Sequence, residues 1–128
     1  MTGPSDFWKT LGFHAESGDE QGAVLRMDVP SSLMSPFGTV PGGIVATLFD
    51  TGLAVAIARR LAPEDRIATT SLTVSWVAFT RLTTLRCHAR VVGLGRIEAV
   101  AEGEVVDDEG TLVAKALGTF NVRRGGTG

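Results

Sequence analysis

The stretch Pro41-Gly42-Gly43-Ile44-Val45-Ala46-Thr47-Leu48-Phe49-Asp50-Thr51-Gly52-Leu53-Ala54-Val55-Ala56-Ile57-Ala58-Arg59-Arg60 reads as one helix that is apolar on nearly every side. Such helices are buried in a core instead of lying on it, so the rest of the chain has to wrap around this one. Pro41 suits the first helical position, where its missing N–H costs nothing, and Arg59 and Arg60 suit the negative end of the helix dipole. The only charge inside the run is Asp50, two turns past Gly42-Gly43. A lone carboxylate in a buried helix is costly unless it is paired, hydrogen-bonded or chemically employed. Either Asp50 lies on one wet stripe or bonds a neighbouring hydroxyl, or it faces a cleft as a general base or nucleophile.

On the N-terminal side, Ser5 to Gly12 reads as a short helix capped by Ser5 or Asp6 and stopped by Gly12. Phe13 to Ser17 and Ala23 to Val29 read as a hairpin across Gly18 to Gly22, the second strand alternating Ala23, Leu25, Met27 and Val29 against Arg26 and Asp28. Pro30 to Val40 holds too many breakers for regular structure, yet its Leu33, Met34 and Phe37 should pack beside the long helix and wall a pocket.

On the C-terminal side, Leu61 to Asp65 is a turn, followed by strands at Ile67 to Val77, Thr84 to Val92, Arg96 to Val106 and Thr111 to Arg123. Their expected inner faces carry Leu72, Val74 and Trp76; Leu85, Cys87, Ala89 and Val91; Ile97, Ala99, Ala101 and Val105; and Leu112, Ala114, Ala116, Phe120 and Val122. Arg86, His88, Arg90, Glu98, Glu102 and Glu104 point the other way. The breaks fall at Gly93-Leu94-Gly95 and at Asp107 to Gly110, and Arg124 to Gly128 is a tail. One α+β domain follows, residues 1–128 with an ordered core of about 6–123: an antiparallel six-stranded sheet wrapped around a long central helix.

With 128 residues, 44% hydrophobic and a formal net charge of −2, the chain can bury roughly two-thirds of its unfolded surface without staples. A near-neutral balance without a basic stripe argues against nucleic acid as a partner. The absence of a basic leader and of an uninterrupted apolar span argues against export and against a membrane partner. One cysteine, Cys87, excludes a disulfide framework and fits a cytoplasmic protein. His14 and His88 fall on strands away from the loop-to-helix junction and read as structural or surface residues.

The order of elements, with the segment Ser35-Pro36-Phe37-Gly38-Thr39-Val40-Pro41-Gly42-Gly43 and Asp50 downstream, resembles the hotdog-fold acyl-CoA thioesterases of the phenylacetate-pathway (PaaI-like) family from about Phe7 to Arg123. That family writes the segment Asn-x-x-Gly-x-x-His-Gly-Gly before its catalytic Asp. Gly38, Gly42, Gly43 and Asp50 match; Ser35 replaces the Asn and Pro41 replaces the His. The resemblance implies a homodimer, or a dimer of dimers, in which Asp50 of one subunit faces the Gly42 amide of the other. Asp50 then deprotonates a water or attacks the thioester carbonyl, and the Gly42 N–H receives the developing oxyanion. Thr69, with Thr70 one register slip away, matches the hydroxyl that lies near the Asp of its own subunit. Substrate contacts are carried over to Ser35, Phe37, Gly38, Pro41 and Gly43. It also implies an acyl-CoA or carrier-bound thioester as substrate, coenzyme A as part of that substrate and not a separate cofactor, and no metal.

An N–H at a helix N-terminus meets such an oxyanion without reorganising, and one donor of this kind is worth roughly 3 kcal/mol. Pro41 removes an imidazole but leaves the Gly42 N–H intact. Two other readings stand beside hydrolysis: a non-catalytic hotdog that binds acyl groups or a protein partner, made credible by Pro41 and Ser35, and a hotdog dehydratase or hydratase, disfavoured because both His residues lie elsewhere. Arg59, Arg60, Arg81, Arg123 and Arg124 are open candidates for CoA phosphates.

Overall fold

The structure is a computed structural model that describes residues 5–125; the final three positions of the expected tail lie outside them. Ser5 caps α1 (Asp6–Leu11) by accepting the Trp8 N–H on its hydroxyl, and Gly12, at φ 74°, ends it. Then come β1 (Phe13–Gly18), β2 (Gly22–Asp28), a short 3-10 turn (Ser31–Leu33), α2 (Gly42–Ala58), β3 (Arg66–Trp76), β4 (Thr84–Leu94), β5 (Glu98–Asp107) and β6 (Leu112–Arg123). All pairings are antiparallel, and the sheet order β1-β2-β4-β5-β6-β3 makes β1 and β3 its edges.

The sheet curls around α2, whose Val45, Leu48, Phe49, Leu53, Ala56 and Ile57 are buried against the inner faces of the strands. Small residues permit this approach. A Cβ at Gly52 would stand 2.7 Å from the Cys87 sulfur, so helix and sheet touch where neither has a bulky side chain. On the outer face, Arg90 pairs with Glu102 at 2.9 Å and Lys115 with Glu104 at 3.2 Å across neighbouring strands, as the alternation requires.

Four expectations are corrected. Pro41 is not the first helical residue: at φ −61° and ψ 144° it is extended and stands at the N-cap, so Gly42 opens α2. The break expected at Gly93-Leu94-Gly95 falls two residues later, over Gly95 to Ile97, because β4 runs on to Leu94 past a register shift between Val91 and Gly93. Ile97 precedes β5 and is 64% exposed instead of facing inward. Phe37 walls nothing within the subunit. It is 81% exposed, whereas Leu33 and Met34 do pack on the core.

Asp107 is the buried polar anchor of the β5–β6 turn. It accepts the Thr80 hydroxyl at 2.8 Å and the Glu109 and Thr111 amides at 3.0 Å each. Burial by itself raises its pKa, but these hydrogen bonds outweigh burial and hold it below the ordinary carboxylate value. A depressed folded-state pKa stabilises the fold above the unfolded value and loses that contribution as pH falls through the folded one. Asp107→Ala should therefore cost about 1–3 kcal/mol at neutral pH, with the gap to wild type closing in acid. Urea melts at pH 7 and in acid check this, and an equal gap at both would refute it.

Candidate active site

Gly42 and Gly43 open α2, and among the described residues neither amide meets an acceptor, since the first helical bonds run from Ile44 and Val45 to the Pro41 carbonyl at 3.0 and 3.3 Å. The helix N-terminus therefore presents free donors and the positive end of its dipole. Trp76, at the end of β3, lays its indole here. A Cβ on Gly42 would sit 3.3 Å from the indole nitrogen. The alternation of the strand places Trp76 on an inner face. Trp76 is a 53% exposed cover over Gly42, and Phe79, 91% exposed, belongs to no core.

The loop before α2 is tied by Ser35. Its hydroxyl accepts the Phe37 and Thr39 amides at 3.3 and 3.1 Å and shares a 2.8 Å bond with the Thr39 hydroxyl. Its N–H bonds the Thr39 carbonyl and its carbonyl accepts the Gly38 N–H, so Ser35 acts as the staple of the loop. Gly38, at φ 79°, occupies a left-handed position that favours glycine, and Arg81 donates to the neighbouring Phe37 carbonyl at 2.6 Å.

Asp50 lies on the one side of α2 that the sheet leaves open, half-buried, in a stripe with Ala46, Thr47, Thr51, Ala54 and Ala58. The Thr69 hydroxyl donates to its Oδ1 at 2.6 Å. A β-bulge creates that contact. Thr69 pairs with Phe120 and Ser71 with Thr119, leaving Thr70 as the extra residue, whose hydroxyl turns to the Thr119 carbonyl at 3.0 Å. The inner face of β3 thus changes phase, carrying Ile67 and Thr69 before the bulge and Leu72, Val74 and Trp76 after it. Thr69 and not Thr70 meets the carboxylate, and the alternation alone gives no sign of the bulge.

Asp50 and Thr69 are thus together, and Gly42, Gly43, Pro41 and Trp76 are together, but the two groups are separate within one chain. Eight helical residues place Gly42 and Asp50 ~12 Å apart. Past Asp50 the stripe runs into a groove of about 530 Å³ lined by Ala54, Ala58, Leu61, Pro63, Arg66 and Ile67. Among the described residues no three His, Cys, Asp or Glu side chains cluster as metal ligands would. Of the candidate phosphate contacts, Arg59 donates to the Gly18 carbonyl, Arg81 to the Phe37 carbonyl and Arg124 to the Gly95 carbonyl. The Arg60 and Arg123 side chains make no hydrogen bond among the described residues, although the Arg60 N–H donates to the Ile57 carbonyl.

The model of the Thioesterase superfamily matches residues 37–114, the span from this loop through α2 to the start of β6. The chain belongs to that family. It is 20% identical to a 1,4-dihydroxy-2-naphthoyl-CoA hydrolase of Listeria monocytogenes over 91% of this chain and 94% of that one. It is 42% identical to a provisionally named esterase of Halobacterium salinarum over 68% of this chain, which spans 62% of that relative. Among solved structures, a phenylacetic acid degradation-related protein of Ralstonia eutropha superposes with a TM-score of 0.85 at 25% identity, covering 93% of this chain and 92% of that one. The hotdog architecture and thioester hydrolysis are thereby the thioesterase's fold and reaction class. None of its described helices is long and apolar enough to cross a membrane.

Proposed function

We propose that this thioesterase hydrolyses an acyl-CoA, or a carrier-bound acyl thioester, at a site shared by two subunits of a homodimer or of a dimer of dimers, in a PaaI-like manner. The observation that carries the reading is the 2.6 Å bond from Thr69 to Asp50 on the open stripe of an otherwise buried helix. That bond fixes one carboxylate oxygen and leaves the other for a water or a carbonyl. In the water route, Asp50 takes the proton as the oxygen attacks the thioester carbon. The oxyanion is met by the Gly42 N–H of the other subunit, and its collapse expels the thiolate. In the covalent route, Asp50 attacks the carbon itself and expels the thiolate, and water then cleaves the resulting anhydride to release the acid and restore the Asp50 carboxylate.

Gly43 leaves room at the helix start, Pro41 and Gly38 set the backbone that aims the Gly42 amide, and Ser35 holds the loop that presents Phe37 at the rim. Coenzyme A enters as part of the substrate, without a separate cofactor, metal, nucleic-acid or membrane partner. The buried free thiol of Cys87 fits the cytoplasm. The CoA hydrolase among the relatives favours CoA as the carrier.

The test is thiol release by purified protein across aromatic, short and medium acyl-CoAs, together with Pro41→His and Pro41→Ala. Pro41 stands at the N-cap and donates no hydrogen bond, so Pro41→His should keep or raise kcat on the best substrate. One observation favours a second reading, a non-catalytic acyl-binding hotdog: the hydroxyl of Ser35 is consumed inside its loop. No hydrolysis by any of the three proteins, alongside saturable acyl-CoA binding, would establish that reading instead.

A further inference from the structure

We infer that the indole N–H of Trp76 is a second donor to the oxyanion, beside the Gly42 amide of the same chain, and supplies a hydrogen bond that neither Ser35 nor Pro41 can give. The role rests on the hydrolysis reading above and adds a catalytic residue to that site.

The oxygen of the tetrahedral intermediate carries a full charge, and a single amide leaves most of its lone pairs without a donor. The polar side chains around the start of α2 are largely engaged elsewhere. The Ser35 hydroxyl is used up inside its loop, where it bonds the Thr39 hydroxyl and accepts two amides. The Thr47 hydroxyl donates back to the Gly43 carbonyl at 2.9 Å, and Arg81 donates to the Phe37 carbonyl. Pro41 has no donor of any kind. Trp76 differs from all of these, because among the described residues its indole N–H has no acceptor.

The ring is placed by β3. Trp76 ends that strand, opposite Ala114, and its side chain crosses to the start of α2. A Cβ on Gly42 would lie 3.3 Å from the indole nitrogen, 3.4 Å from Cε2 and 3.6 Å from Cζ2, so the edge of the ring that meets the glycine is the one bearing the N–H. A Cβ stands about 2.5 Å from its own backbone nitrogen, which puts the indole nitrogen within ~6 Å of the Gly42 nitrogen. Two donors that close can each hold the same oxygen at about 2.9 Å. Tryptophan has a donor and no acceptor, so the indole cannot bond the Gly42 N–H and consume it. Two donors side by side call for one acceptor, and the thioester carbonyl is the acceptor that the reaction brings there. The contact also accounts for glycine at position 42, since a side chain would crowd the indole nitrogen.

Removing the N–H while keeping an aromatic ring tests the role. Trp76→Phe is expected to lower kcat at least ~10-fold with KM within about threefold of wild type, because a donor aimed at developing charge acts on the transition state and not on substrate binding. A ring that serves only as a wall gives the opposite split, a raised KM with kcat kept. A closer isostere removes any doubt about packing: a Trp8→Phe chain made with benzothienylalanine in place of tryptophan, so that sulfur stands where the indole N–H was at position 76 alone. Trp8 packs edge-on against Phe13 at 5.9 Å, on α1, and Trp8→Phe with the indole of Trp76 intact is the reference. The benzothienyl protein should show the same loss of kcat as Trp76→Phe, with circular dichroism and solution mass unchanged. Reference kcat in the benzothienyl protein would overturn the donor and leave hydrolysis standing. A wild type that released no thiol from any acyl-CoA would overturn the hydrolysis reading, and the donor role with it.

Discussion

Asp50→Asn is expected to lower kcat by at least ~10²-fold with little change in fold or solution mass. Asn is nearly isosteric and can still accept the Thr69 hydroxyl that bonds Oδ1 at 2.6 Å, so the local packing survives. It is neither a base nor a nucleophile at neutral pH, and the step that moves the water's proton or forms the acyl bond is lost. Thr69→Ala should cost less than Asp50→Asn. It frees Asp50 to rotate, which lowers kcat, and it leaves the carboxylate in place. Thiol release under saturating substrate, with circular dichroism and light scattering as controls, separates these cases. Wild-type turnover by Asp50→Asn would return Asp50 to the bland reading, a polar group on a wet stripe held by a neighbouring hydroxyl.

Both readings of Asp50 are open from the sequence, and the structure shows the geometry that the first of them names. The residue lies on the open stripe and bonds a neighbouring hydroxyl, and the groove begins one turn further along the helix, at Ala54. What was legible was whatever repeats: the period of β4, with Leu85, Cys87, Ala89 and Val91 all inward, and the unbroken apolarity of α2. Single-residue insertions in a strand have no such signature. The Thr70 bulge hides in a run of hydroxyl residues that is equally at home on either face, and it decides which threonine meets Asp50. Ile97 is in phase with Ala99 and Ala101 but lies before the strand begins at Glu98, and the apolar side chain of Phe37 sits in a loop that leaves it exposed. Neither has a neighbouring element to pack on within the chain, since Ile97 sits in a turn and Phe37 follows the hydroxyl staple made by Ser35.

The apolarity of α2 on every side conceals two different surfaces, and substitution on each should behave differently. Phe49 is fully buried between helix and sheet, so Phe49→Ala removes a ring from a close-packed interior and should cost about 3–5 kcal/mol, lowering Tm by roughly 10–20 °C. Ala54, one turn past Asp50 and half-buried on the open stripe, borders the groove beside β3. In an isolated subunit a Glu side chain there can reach water, and Ala54→Glu should change stability little. Between two copies it buries an unpaired charge beside a second helix, so the protein should turn monomeric at micromolar concentration and lose turnover while keeping its secondary structure. Light scattering, circular dichroism and thiol release on the same samples check both surfaces. An Ala54→Glu protein that stayed dimeric and active would show that the open stripe of α2 faces solvent in the working assembly, and a helix apolar all round would then need another partner to account for it.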